Sequence, residues 1–186
     1  MNFPVLNTKN VTIDEFVKFW SSFYNYPMED YYVPIIGKKK FSIDDIDKLF
    51  IWKNGSKLSQ KKEVVLSNIK AKLNVINNLK DFFSLDSFLK DFSFVNGAIW
   101  KIYLLHIITP NDFPIFDQHV YRAFIFLSQN RRNEIPNSNK QKEQIYFAEY
   151  APFFNELCKK GVAWKRLDEA LWAYGKFLKT EYGRKA

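Results

Sequence analysis

The sequence predicts an all-α protein, a compact bundle of about eight helices. Apolar residues recur at helical spacing along most of the chain, polar capping residues precede several of these stretches, and no stretch shows the alternation typical of strands. The chain has 186 residues, of which 47% are apolar, so it is long enough to bury a core. We therefore expect a single helical domain over 1-186.

Each expected helix rests on its apolar spacing and, in several cases, on the residue in front of it. The expected helices are, in chain order, 13–24, 42–50, 59–80, 84–92, 96–109, 117–129, 140–160 and 162–180. Thr12 and Ser42 are placed to cap the first two. The helix over 96–109 is apolar nearly all round, so we expect it to be the most buried one.

Two stretches are expected to be loops. Residues 25–40 contain Pro27, Pro34 and Gly37, which interrupt helices. Residues 131–142 are polar and include a proline, so we expect this second loop to be exposed.

The chain is strongly basic, with a formal net charge of +8 and an isoelectric point near 9.4. A balance of this kind favours an anionic partner, and we expect double-stranded DNA. Many basic enzymes never touch DNA, so the charge alone leaves the partner open.

Cysteine and histidine are scarce, with one cysteine (Cys158) and two histidines. A single cysteine excludes a disulfide within the chain and four-cysteine zinc or iron–sulfur sites. We expect no metal and no cofactor. Residues 1–10 lack the features of a signal peptide, and no apolar run has membrane-spanning length. We expect a monomeric cytoplasmic protein, associated with the nucleoid when bound to DNA, without a membrane partner.

Asp117 is the residue best placed for chemistry. An apolar stretch, 113–116, precedes it, and it stands at the start of an expected helix. Val120, Tyr121 and Phe124 follow at helical spacing, so its side chain faces the apolar stripe of that helix. The positive end of the helix dipole favours a carboxylate there. The alternative is an ordinary N-cap, for which aspartate is a preferred residue.

The segment Phe113 to Arg122, FPIFDQHVYR, resembles the active-site segment of the helix-hairpin-helix DNA glycosylase superfamily. The adenine-excising branch has a similar Phe-Pro-Ile-x-Asp motif, and the thymine-glycol-excising branch has a similar Asp-x-His-hydrophobic-x-Arg motif. The catalytic carboxylate of the family corresponds to Asp117, and Gly97-Ala98-Ile99 resembles the start of the preceding helix. The resemblance covers residues 97–126 and implies a DNA-glycosylase-like helical fold.

Three departures from the family pattern bear on function. Residues 89–96 lack the glycines of the hairpin that holds a DNA phosphate in the family, and the segment between Gly97 and Phe113 is longer than usual. Bifunctional members carry a Schiff-base lysine where this chain has Phe94, and Lys101 lies one helical turn beyond Gly97. The missing lysine therefore implies a monofunctional enzyme, and the single cysteine excludes the iron–sulfur cluster that some members carry.

Further candidate residues follow from the resemblance and from the needs of base flipping. The candidates for DNA contacts are Gln118, His119, Arg122, Lys53 and Lys101. The candidates for the walls of a base pocket are Trp100, Tyr103 and Tyr121. Core packing is the alternative for each aromatic residue, and burial is the alternative for His119. We expect His119 and Arg122 on the face of their helix that points away from its apolar stripe.

These residues lead us to expect a monofunctional DNA glycosylase that excises a flipped base and leaves an abasic site. The base can be a damaged one, as in DNA repair, or a modified base of phage DNA, as in defence. The first alternative is a catalytically inactive DNA-binding module of the same fold. The second is a helical interaction protein whose basic charge is incidental.

Overall fold

The structure, a computed structural model, describes residues 11–185. The helices are α1 Ile13–Ser21, α2 Val33–Ile36, α3 Ile43–Asn54, α4 Gln60–Ala71, α5 Leu73–Asp81, α6 Leu85–Asp91, α7 Ala98–Ile108, α8 Gln118–Gln129, α9 Asn139–Ile145, α10 Ala151–Lys159, α11 Trp164–Phe177 and α12 Glu181–Lys185. A 3₁₀ turn, Glu29–Tyr31, and a π-helical segment, Tyr146–Tyr150, complete the regular structure. No strand occurs within this range, so the all-α prediction is confirmed.

Contacts between residues divide the described chain into two units. The first comprises 11–25, 116–137 and 144–185, and the second comprises 26–115 and 138–143. A division by contacts does not show that either unit folds by itself, so the expectation of one domain over 1-186 stays a prediction. The prediction that 1–10 contain no signal peptide lies outside the described residues.

In the first unit, α11 packs against both α1 and α8. Trp20 of α1 meets the rings of Tyr174 and Phe177 of α11 at centroid distances of 4.8 and 5.0 Å. Between α11 and α8 the close approach depends on Gly175, because a Cβ at this position would overlap the backbone carbonyl of His119. A glycine in mid-helix therefore sets the spacing of two helices.

In the second unit, α7 is buried on nearly every side, as the sequence predicted. Its His106 is fully buried, and Nε2 of this ring lies 2.6 Å from the hydroxyl of Tyr32. Nδ1 lies 2.7 Å from the carbonyl oxygen of Phe113, which can only accept a hydrogen bond. Nδ1 therefore donates, and in the neutral ring Nε2 accepts from Tyr32. The bridge ties α7 to the chain on either side of it.

Capping residues predicted the helix starts well. Thr12 and Ser42 both cap their helices through capping boxes, with Glu15 and Asp45 as the reciprocal partners. The second of these helices extends beyond the predicted end to Asn54. The first ends earlier than predicted, at Ser21.

The predicted helix over 59–80 is wrong in one respect, because the chain breaks at Lys72 into α4 and α5. Lys72 leaves helical geometry (φ −100°, ψ 23°), and its Nζ pairs with Asp91 over 3.0 Å. Phe83 lies beyond α5 and is exposed. The sequence offers no proline or glycine at this break.

The other differences from the predicted elements are local. The stretch 25–40, predicted as a loop, contains the 3₁₀ turn and the short helix α2, with Pro34 in its first turn. The predicted helix over 140–160 passes through the π-helical segment before α10. No helix in the described part of the chain combines the length and the apolar character needed to cross a membrane.

Candidate active site

Asp117 is the N-cap of α8. Its backbone is extended (φ −156°, ψ −176°), and its Oδ1 accepts hydrogen bonds from the backbone N–H groups of His119 (2.7 Å) and Val120 (3.1 Å). The first N–H groups of a helix have no partner within it, which is why a carboxylate is favourable here. The capping role that the sequence left open is therefore present, and it fixes a half-buried carboxylate at the start of α8.

The residue before Asp117 anchors this position in the core of the first unit. Phe116 is fully buried, and its ring lies 5.4 Å from that of Tyr146 and 5.2 Å from that of Tyr150. It also meets Tyr121 edge-on at 6.1 Å. Because the chain on both sides of Asp117 is held, the direction of its carboxylate is well defined.

Tyr121 lies one turn into α8 and is only 4% exposed. Burial raises the pKa of its hydroxyl, and the nearby charge of Glu149 raises it further. The hydroxyl therefore keeps its proton at neutral pH and can serve as a hydrogen-bond donor. Of the three aromatic residues considered for a base pocket, this one shares a unit with Asp117.

His119 is half-buried, with its ring edge-on to that of Trp172 at 5.3 Å. Its Nδ1 is buried and has no hydrogen-bond partner among the described residues. Burial lowers the pKa of His119, the negative charge of Asp117 raises it, and cations that include Arg122 and Lys179 lower it further. The ring is therefore a neutral imidazole at physiological pH, which makes it a poor point charge for a phosphate.

The predicted placement of Arg122 on the exposed face of α8 is wrong. Arg122 is 3% exposed, and its Nη1 donates to the carbonyl oxygen of Gly175 over 2.8 Å. Its Nη2 donates to both carboxylate oxygens of Glu134, at 2.8 and 3.1 Å. The prediction failed because the partners of the guanidinium lie in a loop and on α11. The spacing of apolar residues along α8 gives no information about such partners.

The remaining candidates for DNA contacts differ in exposure. Gln118 is exposed at the first position of α8. In the second unit, Lys101 forms an ion pair with Glu143 (Nζ–Oε1 3.0 Å), and its side chain is 17% exposed. Lys53 places its Nζ 5.5 Å from the ring centre of Tyr103. A phosphate contact by Lys101 requires its ion pair to open, and the role of all three residues stays a prediction.

Trp100 and Tyr103 form part of the core of the second unit. Tyr103 is fully buried, and its hydroxyl donates to the carbonyl oxygen of Leu49 over 3.1 Å. Trp100 is 8% exposed and meets the ring of Phe50 edge-on at 4.9 Å. The core packing that the sequence left as the alternative is therefore what these two rings show, and their role as pocket walls stays a prediction.

Two buried tyrosines near Asp117 were missed in the sequence. Tyr146 and Tyr150 bound the π-helical segment and are both fully buried. Burial raises the pKa of Tyr150 well above its ordinary value, and the charges of Asp168 and Asp117 raise it further. Its hydroxyl has no hydrogen-bond partner among the described residues. The spacing of four residues between the two rings was the available signal.

Metal binding and thiol chemistry find little support in the described part of the chain. Among its residues, no group of three or more His, Cys, Asp or Glu side chains is arranged to hold a metal ion. Cys158 is half-buried, and burial raises the pKa of its thiol. The protonated thiol is a weak nucleophile.

Comparison with known proteins finds no matching family, no matching curated protein and no matching solved structure. The resemblance of residues 113–122 to DNA glycosylases therefore rests on the sequence motif.

Proposed function

We propose that this protein is a monofunctional DNA glycosylase that hydrolyses the N-glycosidic bond of a flipped, damaged or modified base, with Asp117 as the essential carboxylate. The observation that carries the proposal is the placement of Asp117. The motif that resembles a glycosylase active site forms a helix start, and Asp117 caps it. A carboxylate held by two backbone N–H groups is fixed in position without being fully buried.

The chemistry suits a single fixed carboxylate. The bond between C1′ of the sugar and the base nitrogen breaks, and positive charge develops on the sugar as in other glycoside hydrolyses. Asp117 stabilises that charge and orients a water molecule. The water oxygen bonds to C1′, one water proton is released, and the departing base takes up a proton. The products are a free base and an abasic site.

We expect no lyase activity because no lysine stands at the position of the Schiff-base lysine. Phe94 stands where the resemblance places the Schiff-base lysine of bifunctional enzymes. Lys101, one helical turn beyond Gly97, forms an ion pair with Glu143 (Nζ–Oε1 3.0 Å). No lysine therefore stands at the Schiff-base position and Lys101 is engaged by a carboxylate, so the strand is expected to remain intact until alkali is added.

The test is an excision assay on a panel of duplex DNAs that carry normal, oxidised, alkylated or phage-type modified bases. Wild type is compared with Asp117→Asn, which preserves the cap because asparagine also accepts helix N–H groups. Asp86→Asn, an exposed carboxylate in the first turn of α6, is the matched control. Alkali-labile sites made by the wild type and the control but not by Asp117→Asn would support the proposal.

A second candidate function is a DNA-binding module without catalysis. It is favoured by the hydrogen bonds of Asp117, which give this residue a purely structural reason to be present. In that case the wild type binds DNA in a salt-dependent manner, makes no alkali-labile site on any DNA of the panel, and binds as tightly as Asp117→Asn.

A further inference from the structure

A cavity in the first unit gathers basic side chains. It measures about 300 Å³ and is lined by Arg122, Arg132, Asn133, Glu134, Leu178 and Lys179. Three of these side chains are cationic and one is a carboxylate, so the lining carries a net positive charge. A concave site of this charge concentrates anions.

Arg122 is the fixed element of this cavity. Its Nη1 donates a hydrogen bond to the carbonyl oxygen of Gly175. Its Nε is buried without a hydrogen-bond partner among the described residues. Arginine stays charged at all relevant pH values. A buried guanidinium needs an anion beside it, since an unpaired buried charge is costly.

Glu134 supplies that anion from an exposed stretch of the chain. Its side chain is 69% exposed, and it belongs to 131–136, a stretch without regular structure. The hydrogen bond from Arg122 lowers the pKa of Glu134, and the charges of Arg122 and Lys179 lower it further. The position of the carboxylate is therefore electropositive. Because the carboxylate is exposed, an anion from solvent can reach Arg122 and replace Glu134 as its partner without leaving the buried charge unpaired.

We infer that this cavity is a phosphate site, and that the Glu134 carboxylate occupies the position of a phosphate oxygen pair when no DNA is bound. A phosphate takes the Nη2 hydrogen bonds of Arg122 in the same bidentate manner and gains Arg132 and Lys179 as further partners. The assignment of the phosphate to a DNA backbone rests on the proposed function. It provides a grip on DNA in a chain whose residues 89–96 lack the usual glycine-rich hairpin.

Two variants and a control test this site. Arg132→Gln/Lys179→Gln removes the two cations that line the cavity beside Arg122. Glu134→Gln removes the competing charge and keeps an acceptor for Arg122. The control, Lys140→Gln/Lys160→Gln, removes two exposed charges outside the cavity lining. Inorganic phosphate is titrated at low ionic strength while the side-chain NMR signals of Arg122 are followed, and a labelled unmodified duplex is titrated by fluorescence anisotropy over a range of salt concentrations.

We expect phosphate to shift the Arg122 signals of the wild type and the control, at several-fold lower concentration in Glu134→Gln and hardly at all in Arg132→Gln/Lys179→Gln. We expect duplex affinity to fall roughly tenfold in that double variant relative to the control, with a salt dependence shallower by about one phosphate contact.

If the double variant binds phosphate as the control does, the assignment of this cavity as a phosphate site is wrong. A double variant that loses phosphate but binds the duplex like the control would overturn its assignment to the DNA backbone. Both readouts are independent of excision, so a wild type that makes no abasic sites would contradict the proposed function and leave this test intact.

Discussion

Gly175 of α11 touches α8 at two points: its carbonyl oxygen accepts a hydrogen bond from Arg122 over 2.8 Å, and its Cα faces the carbonyl of His119 so closely that a Cβ would overlap it. One residue therefore sets the helix spacing and holds the buried guanidinium.

Gly175→Ala is expected to destabilise the protein by about 1–3 kcal/mol, because the added methyl group meets backbone that cannot rotate away. Gly37→Ala is the control, since nothing lies within 4 Å of a Cβ at Gly37. Urea denaturation of both variants measures the difference. Equal stability of the two variants would mean that α8 and α11 separate more easily than their packing indicates.

Substitutions of Asp117 should separate capping from catalysis. Asp117→Ala loses the hydrogen bonds to the first turn of α8 and is expected to cost about 1 kcal/mol of stability. Asp117→Asn and Asp117→Ser keep an acceptor and most of the stability. All three are expected to lower excision by about 10²–10³-fold, since each removes the charge. Thermal denaturation and counts of alkali-labile sites, measured side by side, check this. Excision by Asp117→Ser at the wild-type rate would remove Asp117 from the chemistry.

Tyr32→Phe is expected to destabilise the second unit by about 1–3 kcal/mol, because it leaves the buried Nε2 of His106 without its partner at 2.6 Å. The neighbouring Tyr31 is exposed, so Tyr31→Phe serves as the control and is expected to stay within about 0.5 kcal/mol of the wild type. Chemical denaturation compares the pair. A loss no greater than that of the control would show that a water molecule replaces the hydroxyl.

Lys80 predicts an unusual dependence of stability on pH. Burial lowers its pKa to about 8 from the ordinary 10.5, while its Nζ donates to the carbonyl oxygen of Ile107. Between these two values the unfolded chain holds the proton that the folded protein has lost, so this group makes stability rise with pH. Below about pH 8 both states are protonated and the penalty of burying the charge is complete.

The variant Lys80→Met isolates this contribution. We expect Lys80→Met to be more stable than the wild type near neutral pH. This advantage should shrink as the pH approaches the pKa of free lysine. Denaturation curves at about pH 7 and about pH 10 measure it. An advantage that is the same at both pH values would mean that Lys80 titrates as an ordinary surface lysine.

The pKa of His119 reports on Asp117. The negative charge of Asp117 raises the pKa of this histidine against the lowering effect of burial. Asp117→Asn should therefore lower the pKa of His119 further, as NMR titration of the ring protons can show. Asp86→Asn should leave it unchanged, because Asp86 is not among the charges that shift the pKa of His119. If the pKa of His119 is the same in Asp117→Asn as in the wild type, the carboxylate points away from the ring.

Residues that act through their own side chain or their nearest neighbours were predictable. Thr12, Ser42 and Asp117 cap helices because a short polar side chain in front of an apolar repeat has one favourable place. The burial of α7 followed from its apolar composition on all sides. Caps and apolar spacing are properties of a few consecutive residues, so the sequence alone is enough for them.

Features that depend on distant residues were not predictable. Lys72 ends α4 without any helix-breaking residue, and Asp91, its ion-pair partner, lies in another helix. Arg122 is buried because Gly175 and Glu134 satisfy it, although neither lies on α8. Pairing across elements is set by the packed structure, and a periodic pattern on one helix says nothing about the partner that approaches it.

The π-helical segment has a consequence for the alignment of the aromatic rings. Residues four apart in an α-helix drift by roughly 40° around the axis, so three rings at this spacing spread over a wide arc. A π-helical turn contains one extra residue, so the rings that follow are rotated back toward the angular position of the first ring. Tyr146, Tyr150 and Phe154 consequently stay on one side of their helix, and all three are fully buried. Deleting one residue between Tyr146 and Tyr150 would remove this correction and rotate Phe154 and the rest of α10 by roughly 100° about the helix axis.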